Sequence, residues 1–312
     1  MKLRHLIYIL TLLFTVPALA QQDAQYSMFM FNNLAINPGF AGSNDAICAS
    51  IINRQQYMGF PGRPQTTVFN IDAPISKINS GIGLTINNDL IGWDKKMNIL
   101  LHYAYRLNLG DGQLGLGLNF GLFNSSFNPK DPLTPDDITE TEGDDPVLPV
   151  AEVNDMVPDF SFGAFYRLQN LYVGFSSTHL NQADLNYATS TSGESKLTRH
   201  YYLAAGYFYK LPNPLFEIRP NLMVKSDLAT AQIDANVSLL YNKVVWAGVS
   251  YRAGDAIAAM AGVELKNGLK IGYSFDFVTN KIHSVSHEFL IGYCFDLSLD
   301  KAKGSYKSVR IL

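Results

Sequence analysis

The chain has 312 residues, a net charge of −3 from 24 Lys and Arg against 27 Asp and Glu, 19 Phe, 17 Tyr and two Cys. Such a chain carries no basic footprint for nucleic acid, and after the N-terminus no run of about twenty apolar residues offers a membrane helix. Two classes survive: an aromatic-rich soluble β protein, and an outer-membrane barrel whose alternating strands escape hydropathy averages.

The first residues read as a signal peptide. Lys2, Arg4 and His5 precede the apolar run Leu6 to Val16, and Pro17 leads to the small-x-small site Ala18-Leu19-Ala20. Residues 1–20 are expected to be removed, leaving a mature chain from about Gln21 outside the cytoplasm. The absence of a cysteine after that site argues against a lipid anchor. Segment 21–45 is expected as a periplasmic N-terminal piece, with the turn chemistry of Asn37, Pro38, Gly39 and Gly42 setting it at a barrel mouth. Asn37, Pro38 and Gly39 are therefore candidate partner contacts.

From residue 46 onward apolar and polar residues alternate. Leu114, Leu116, Leu118, Phe120 and Leu122 are separated by Gly115, Gly117, Asn119 and Gly121. Leu269, Ile271, Tyr273, Phe275 and Phe277 repeat the pattern, as do Phe289, Ile291, Tyr293, Phe295 and Leu297. A period of two means two faces, and these apolar faces suit lipid outside and water inside. The pattern predicts an all-β, up-and-down antiparallel barrel over 46–298. Its fourteen strands are expected near 46–54, 66–74, 81–90, 95–109, 112–124, 158–168, 170–178, 198–211, 215–226, 229–241, 243–252, 256–266, 268–278 and 284–298. Links after even strands are mostly tight, such as Asn242-Lys243 and Asn267-Gly268, whereas the long links 55–65, 125–157 and 179–197 follow odd strands. Short periplasmic turns and long outer loops give this asymmetry.

Strand parity sends Asp72, Asp89, Arg106, Arg167, Glu217, Arg219, Lys225, Asp234, Arg252, Glu264, Lys270, Asp276 and Glu288 into the lumen. Their mixed signs favour a salt-bridged interior over a one-sign filter. Cys48 and Cys294 share that luminal parity on the first and last strands, so a disulfide across the closing seam is expected. The acidic stretch 125–157 reads as a solvated loop, since its carboxylates lack the EF-hand spacing for calcium. His102, His179, His200, His283 and His287 are scattered without metal-ligand spacing, and no nucleophile elbow occurs. No enzyme, metal or cofactor is expected.

Several short stretches together resemble the PorP/SprF family of outer-membrane proteins associated with type IX secretion and gliding. They are Asn37-Pro-Gly-Phe-Ala-Gly42, Arg54-Gln-Gln-Tyr-Met-Gly59, Asp72-Ala-Pro74, Gly83 to Asp89, Tyr103-Ala-Tyr-Arg106, Arg199-His-Tyr-Tyr202, Arg219 to Lys225, Gly248 to Arg252, Gly272-Tyr-Ser-Phe-Asp276 and Ser286-His-Glu288. The resemblance implies a fourteen-stranded barrel without catalysis. By the same resemblance it is expected to act beside the periplasmic lipoprotein ring of the secretion machine, or to serve the C-terminal domain of a large secreted adhesin. Two features depart from the family pattern. Tyr57 stands where tryptophan is expected, and the chain continues as a basic tail over 299–312, where Lys301, Lys303, Lys307 and Arg310 are further candidate partner contacts. The competing reading is a channel for hydrophobic or small solutes, in which Gln21 to Ser43 is long enough for a partial plug.

Overall fold

The computed structural model describes residues 23–128, 152–185, 195–280 and 284–296. The expected signal peptide 1–20, most of the acidic loop, and Lys301, Lys303, Lys307 and Arg310 lie outside the described residues.

Fourteen strands form the wall: β1 (Ala46–Gln55), β2 (Gln65–Ile75), β3 (Ser80–Ile91), β4 (Asp94–Leu109), β5 (Gly112–Phe127), β6 (Val153–Arg167) and β7 (Leu171–Thr178). They continue as β8 (His200–Tyr207, resuming as Tyr209–Lys210), β9 (Phe216–Ser226), β10 (Ala231–Tyr241), β11 (Val245–Arg252), β12 (Ala256–Glu264), β13 (Leu269–Val278) and β14 (Val285–Asp296). Each pairs antiparallel with its chain neighbours, and β1 pairs with β14 to close the barrel. Cys48 and Cys294 are register partners across this seam, joined as a disulfide with Cα atoms 4.1 Å apart. A two-residue ribbon, Asp184–Leu185 with Ser195–Lys196, decorates the link between β7 and β8. Among the described residues no helix is long and apolar enough to cross a membrane.

Two departures from the expected strand ranges have a local reason. The ladder of β5 and β6 runs out to Phe127 opposite Val153, so the acidic loop is 128–152 rather than 125–157. Polar residues such as Asn124, Ser125 and Asn154 do not end a strand whose backbone groups are still paired. The break in β8 at Phe208 faces the part of β9 containing Pro220, whose ring nitrogen has no hydrogen to give to the ladder. The Phe208 N–H is bonded instead to the Asn170 carbonyl at 2.8 Å.

The outward face is the apolar one. Leu101 and Leu118 are each 60% exposed, and Phe120, Val237, Val249, Ile291 and Phe277 continue the belt. The hydrophobic core lies inside the barrel: Met28 and Phe29 pack among Ile52, Val68, Tyr202, Met223, Trp246, Met260 and Leu290. Segment 23–45, expected on the periplasmic side of the wall, instead threads the lumen. Its apolar side chains fill the interior, and its backbone polar groups find partners among luminal side chains.

Candidate functional site: a plugged lumen

The plug is a chain of short turns: Phe29–Phe31, Asn33–Ile36 and Pro38–Phe40. None is long enough to satisfy its own backbone, so the wall does so. The buried Glu288 carboxylate accepts from Ser27 N and Met28 N, each at 2.8 Å, and from Arg54 Nη1 at 3.0 Å. Arg54 also pairs with Asp276 at 2.7 Å, while the Ser27 hydroxyl donates to Asp276 at 2.6 Å and accepts from Arg54 at 2.9 Å. Arg252 donates to the Tyr26 carbonyl at 3.0 Å and is itself held by Asp234 at 2.7 Å. Charges this deeply buried persist only when every partner is in place.

Midway along the lumen, Asn70 donates to Asn32 at 2.7 Å, backed by Thr85 and then His102 on the next two strands. Further along, Asn37 caps its own turn by accepting from Gly39 N at 2.9 Å. Its amide donates to the carbonyls of Ala164 and Phe175 at 3.0 and 3.2 Å. Gly39 lies against Gly115, Gly117 and Gly163 of β5 and β6, at a backbone approach that side chains would block. Gly42 has φ +72°, sits over Gly81 and donates to Asp72 at 2.8 Å.

The plug's two ends are ionic. At the long-loop end Asp23 meets His179 Nε2 at 3.0 Å and Tyr202 Oη at 2.7 Å, while Lys225 Nζ bonds its carbonyl at 3.0 Å. Burial alone would push the Asp23 carboxyl up, but His179, His200 and Lys225 hold it well below the usual carboxylate range. Burial likewise opposes charge on His179, yet Asp23 and Asp159 push it up to about 10. At the short-turn end Asp45 pairs with Arg106, and Arg167 donates to the Ser43 carbonyl at 2.7 Å.

The plug divides the lumen. A cavity of about 330 Å³ opens at the short-turn end, lined by Phe31, Phe40, Phe165, Trp246, Arg219 and Lys270 among others. A second, of about 460 Å³, lies at the long-loop end beside Asp23, Tyr57, Asp89 and Asp255. The two share no lining residue.

Asn37, Pro38 and Gly39 were expected to face a partner. In this structure they are buried against the wall, where they position the plug. The luminal charges named from parity divide in two. Asp72, Asp89, Arg106, Lys225, Asp234, Arg252, Asp276 and Glu288 are buried, whereas Arg219 pairs with Glu217 and Glu264, each at 2.7 Å, nearer the short-turn end. Sequence parity missed Arg54, although that residue opens one of the motifs quoted above. It also could not bring together Asp23, His179 and His200, which stand far apart in the chain.

A closed fourteen-strand barrel with an apolar outer belt, short turns at one end and longer loops at the other is an outer-membrane β-barrel, its short-turn end facing the periplasm. The chain belongs to the PorP/SprF family, the type IX secretion system membrane proteins, whose sequence profile matches residues 18–293. The backbone is similar to the toluene transporter TbuX of Ralstonia pickettii, at 10% identity over 84% of this chain and 93% of that one, with TM-score 0.49. It is also similar to the monoaromatic hydrocarbon channel CymD, at 10% identity over 85% and 92%, with TM-score 0.48. The closed ladder, not these likenesses, defines the fold. Among curated proteins none matches the chain.

Proposed function

We propose that this barrel is a non-enzymatic, sealed scaffold of the type IX apparatus. It supports export or surface anchoring of a partner protein, such as the C-terminal domain of a large adhesin, and contacts the periplasmic lipoprotein ring. One observation carries the reading: the motifs on which the family resemblance rests converge on the plug. Asn37 to Gly42 is part of it, and Arg54, Asp72, Arg106, Tyr202, Lys225, Arg252, Asp276 and Glu288 each bond to it. The residues that mark the family thus serve to close the lumen, which suits holding a partner better than passing a solute. The aromatic-lined cup at the periplasmic end and the outer loops 56–64 and 179–199 are the surfaces left for partners.

The channel reading draws on the same plug, taken as a hatch. The two are separated by reconstituting the purified barrel in planar bilayers and, in parallel, capturing it from its own cell envelope. The scaffold reading expects no steady conductance, together with co-purified ring lipoproteins or a large secreted protein. Conductance or solute uptake with no such partner retained would replace it with the channel.

A further inference from the structure

We propose that Asp23, His179 and His200 form a binding site for a divalent transition-metal ion, of which Zn²⁺ best fits the donors, and that the ion fixes the outer end of the plug to the wall. The three residues come from three places: the start of the plug, the position just after β7 and the first residue of β8. One donor atom from each lies within 4.8 Å of the others. His179 Nε2 is 3.0 Å from Asp23 Oδ1 and His200 Nδ1 is 3.4 Å from Asp23 Oδ2. Donors bound to one tetrahedral zinc at about 2.0–2.1 Å stand about 3.3 Å from each other, so Asp23 and His179 already have ligand spacing, with the His200 ring beside them as the third donor through Nε2.

The surroundings add a second, independent indication. A metal-bound imidazole is usually oriented through its remote nitrogen by a carboxylate or a backbone carbonyl. Behind His179, Asp159 Oδ2 stands 3.0 Å from Nδ1, off the line of an ideal hydrogen bond. In His200, Nδ1 lies 2.9 Å from the Thr198 carbonyl. A proton on that nitrogen leaves the lone pair on Nε2, and Nε2 has no hydrogen-bond partner although His200 is fully buried. An unused buried acceptor is costly, and a metal ion would use it. Tyr202 steadies the Asp23 carboxylate, while Lys225 bonds the Asp23 carbonyl and leaves the carboxylate free for the ion. Two imidazoles and one carboxylate, with water in the fourth position, match zinc, and an all-oxygen cation such as calcium is disfavoured.

The test uses the purified full-length barrel in detergent, stripped with EDTA and dialysed against ZnCl₂, with bound metal counted by mass spectrometry. Co²⁺ serves as an absorption probe of tetrahedral geometry. The expected result is about one zinc ion per chain, with zinc raising the protease resistance of residues 23–45. The H200N variant should lose stoichiometric zinc and that protection, with the wall still intact by heat-modifiable mobility on gels. The D159N variant keeps all three ligands and should bind about 10–100-fold more weakly. Absence of stoichiometric zinc in the natural protein, retention of zinc by H200N, or an unchanged affinity in D159N would each overturn the site.

Discussion

Gly117→Ala adds one methyl group where plug and wall touch backbone to backbone. An added Cβ at residue 117 would lie 2.3 Å from the Pro38 carbonyl carbon and 2.4 Å from both Gly39 N and Pro38 O. Ordinary contact begins at 3.4 Å, so the plug must retreat by 3.4 − 2.3, about 1.1 Å. The wall cannot give way, because β5 is laddered to β4 and β6 along its whole length. That retreat strains the Asn37 bonds to Ala164 and Phe175 and the Ser176 bond to the Ile36 carbonyl. Overpacking of this kind costs about 1–3 kcal/mol, which corresponds to about 5- to 150-fold in a local opening equilibrium. Native-state hydrogen exchange reads it directly. The amides of Gly39, Phe40, Ala41 and Gly42, bonded at 2.9, 3.1, 3.2 and 2.8 Å, should exchange faster by that factor, while the wall strands stay protected. Gly292→Ala is the control: its added Cβ meets nothing closer than 3.5 Å and should change nothing. Equal protection of residues 39–42 in the Gly117→Ala variant and the natural protein would refute the close packing.

Glu288→Ala removes the acceptor of two plug amides and one of the two carboxylates on Arg54. It should cost about 3–5 kcal/mol in urea unfolding from detergent micelles, and a loss below about 1 kcal/mol would contradict the buried network. Leu118→Arg, one residue from Gly117 but on the lipid face and 60% exposed, should cost about 2–4 kcal/mol in lipid refolding if it lies near the bilayer midplane. A neutral result in lipid would move that face out of the membrane. Replacing both Cys48 and Cys294 by serine should lower stability by about 2–4 kcal/mol, and reduction should shift the natural protein, but not the variant, on gels.

The wall was legible because its signal is local. Two faces per strand mean that Leu118 and Gly117 announce lipid and lumen from neighbouring positions, and tight turns such as Asn242-Lys243 set the direction of the next strand. Parity carried Cys48 and Cys294 onto one face and placed most of the luminal charges. The plug was offered only by the length of Gln21 to Ser43, in the channel reading, and its contacts were hidden because it has no period. Its contacts join residues far apart in the chain, those of Ser27 with Asp276 and Glu288 spanning 249 and 261 positions, beyond the reach of a local pattern. Its turn residues Asn37 to Gly42 were read as turn chemistry at a barrel mouth, but a turn motif says nothing about which wall residues it packs against. His179 and His200 were out of reach for the same reason: they join Asp23 in one cluster only when the barrel closes.

The plug carries no charged side chain between Asp23 and Asp45. Each of these terminal acids is met by bases of the wall: His179, His200 and Lys225 at one end, and Arg106 at the other. Between them the wall's acids and bases serve the plug's backbone, so most luminal charge at this level faces peptide groups rather than water. A solute path through the lumen would have to part Glu288 and Arg252 from the plug backbone they hold, and Asp276 from the Ser27 hydroxyl. Nothing along that path could satisfy them except water admitted to the core formed by Met28, Phe29 and Trp246. Hydrogen bonds to charged groups contribute about 1.5–3 kcal/mol each, and four plug bonds of residues 26–28 would go together. The closed state is therefore the deep minimum of this barrel. A function that requires holding partners at both mouths, while the membrane stays sealed between them, asks for that minimum.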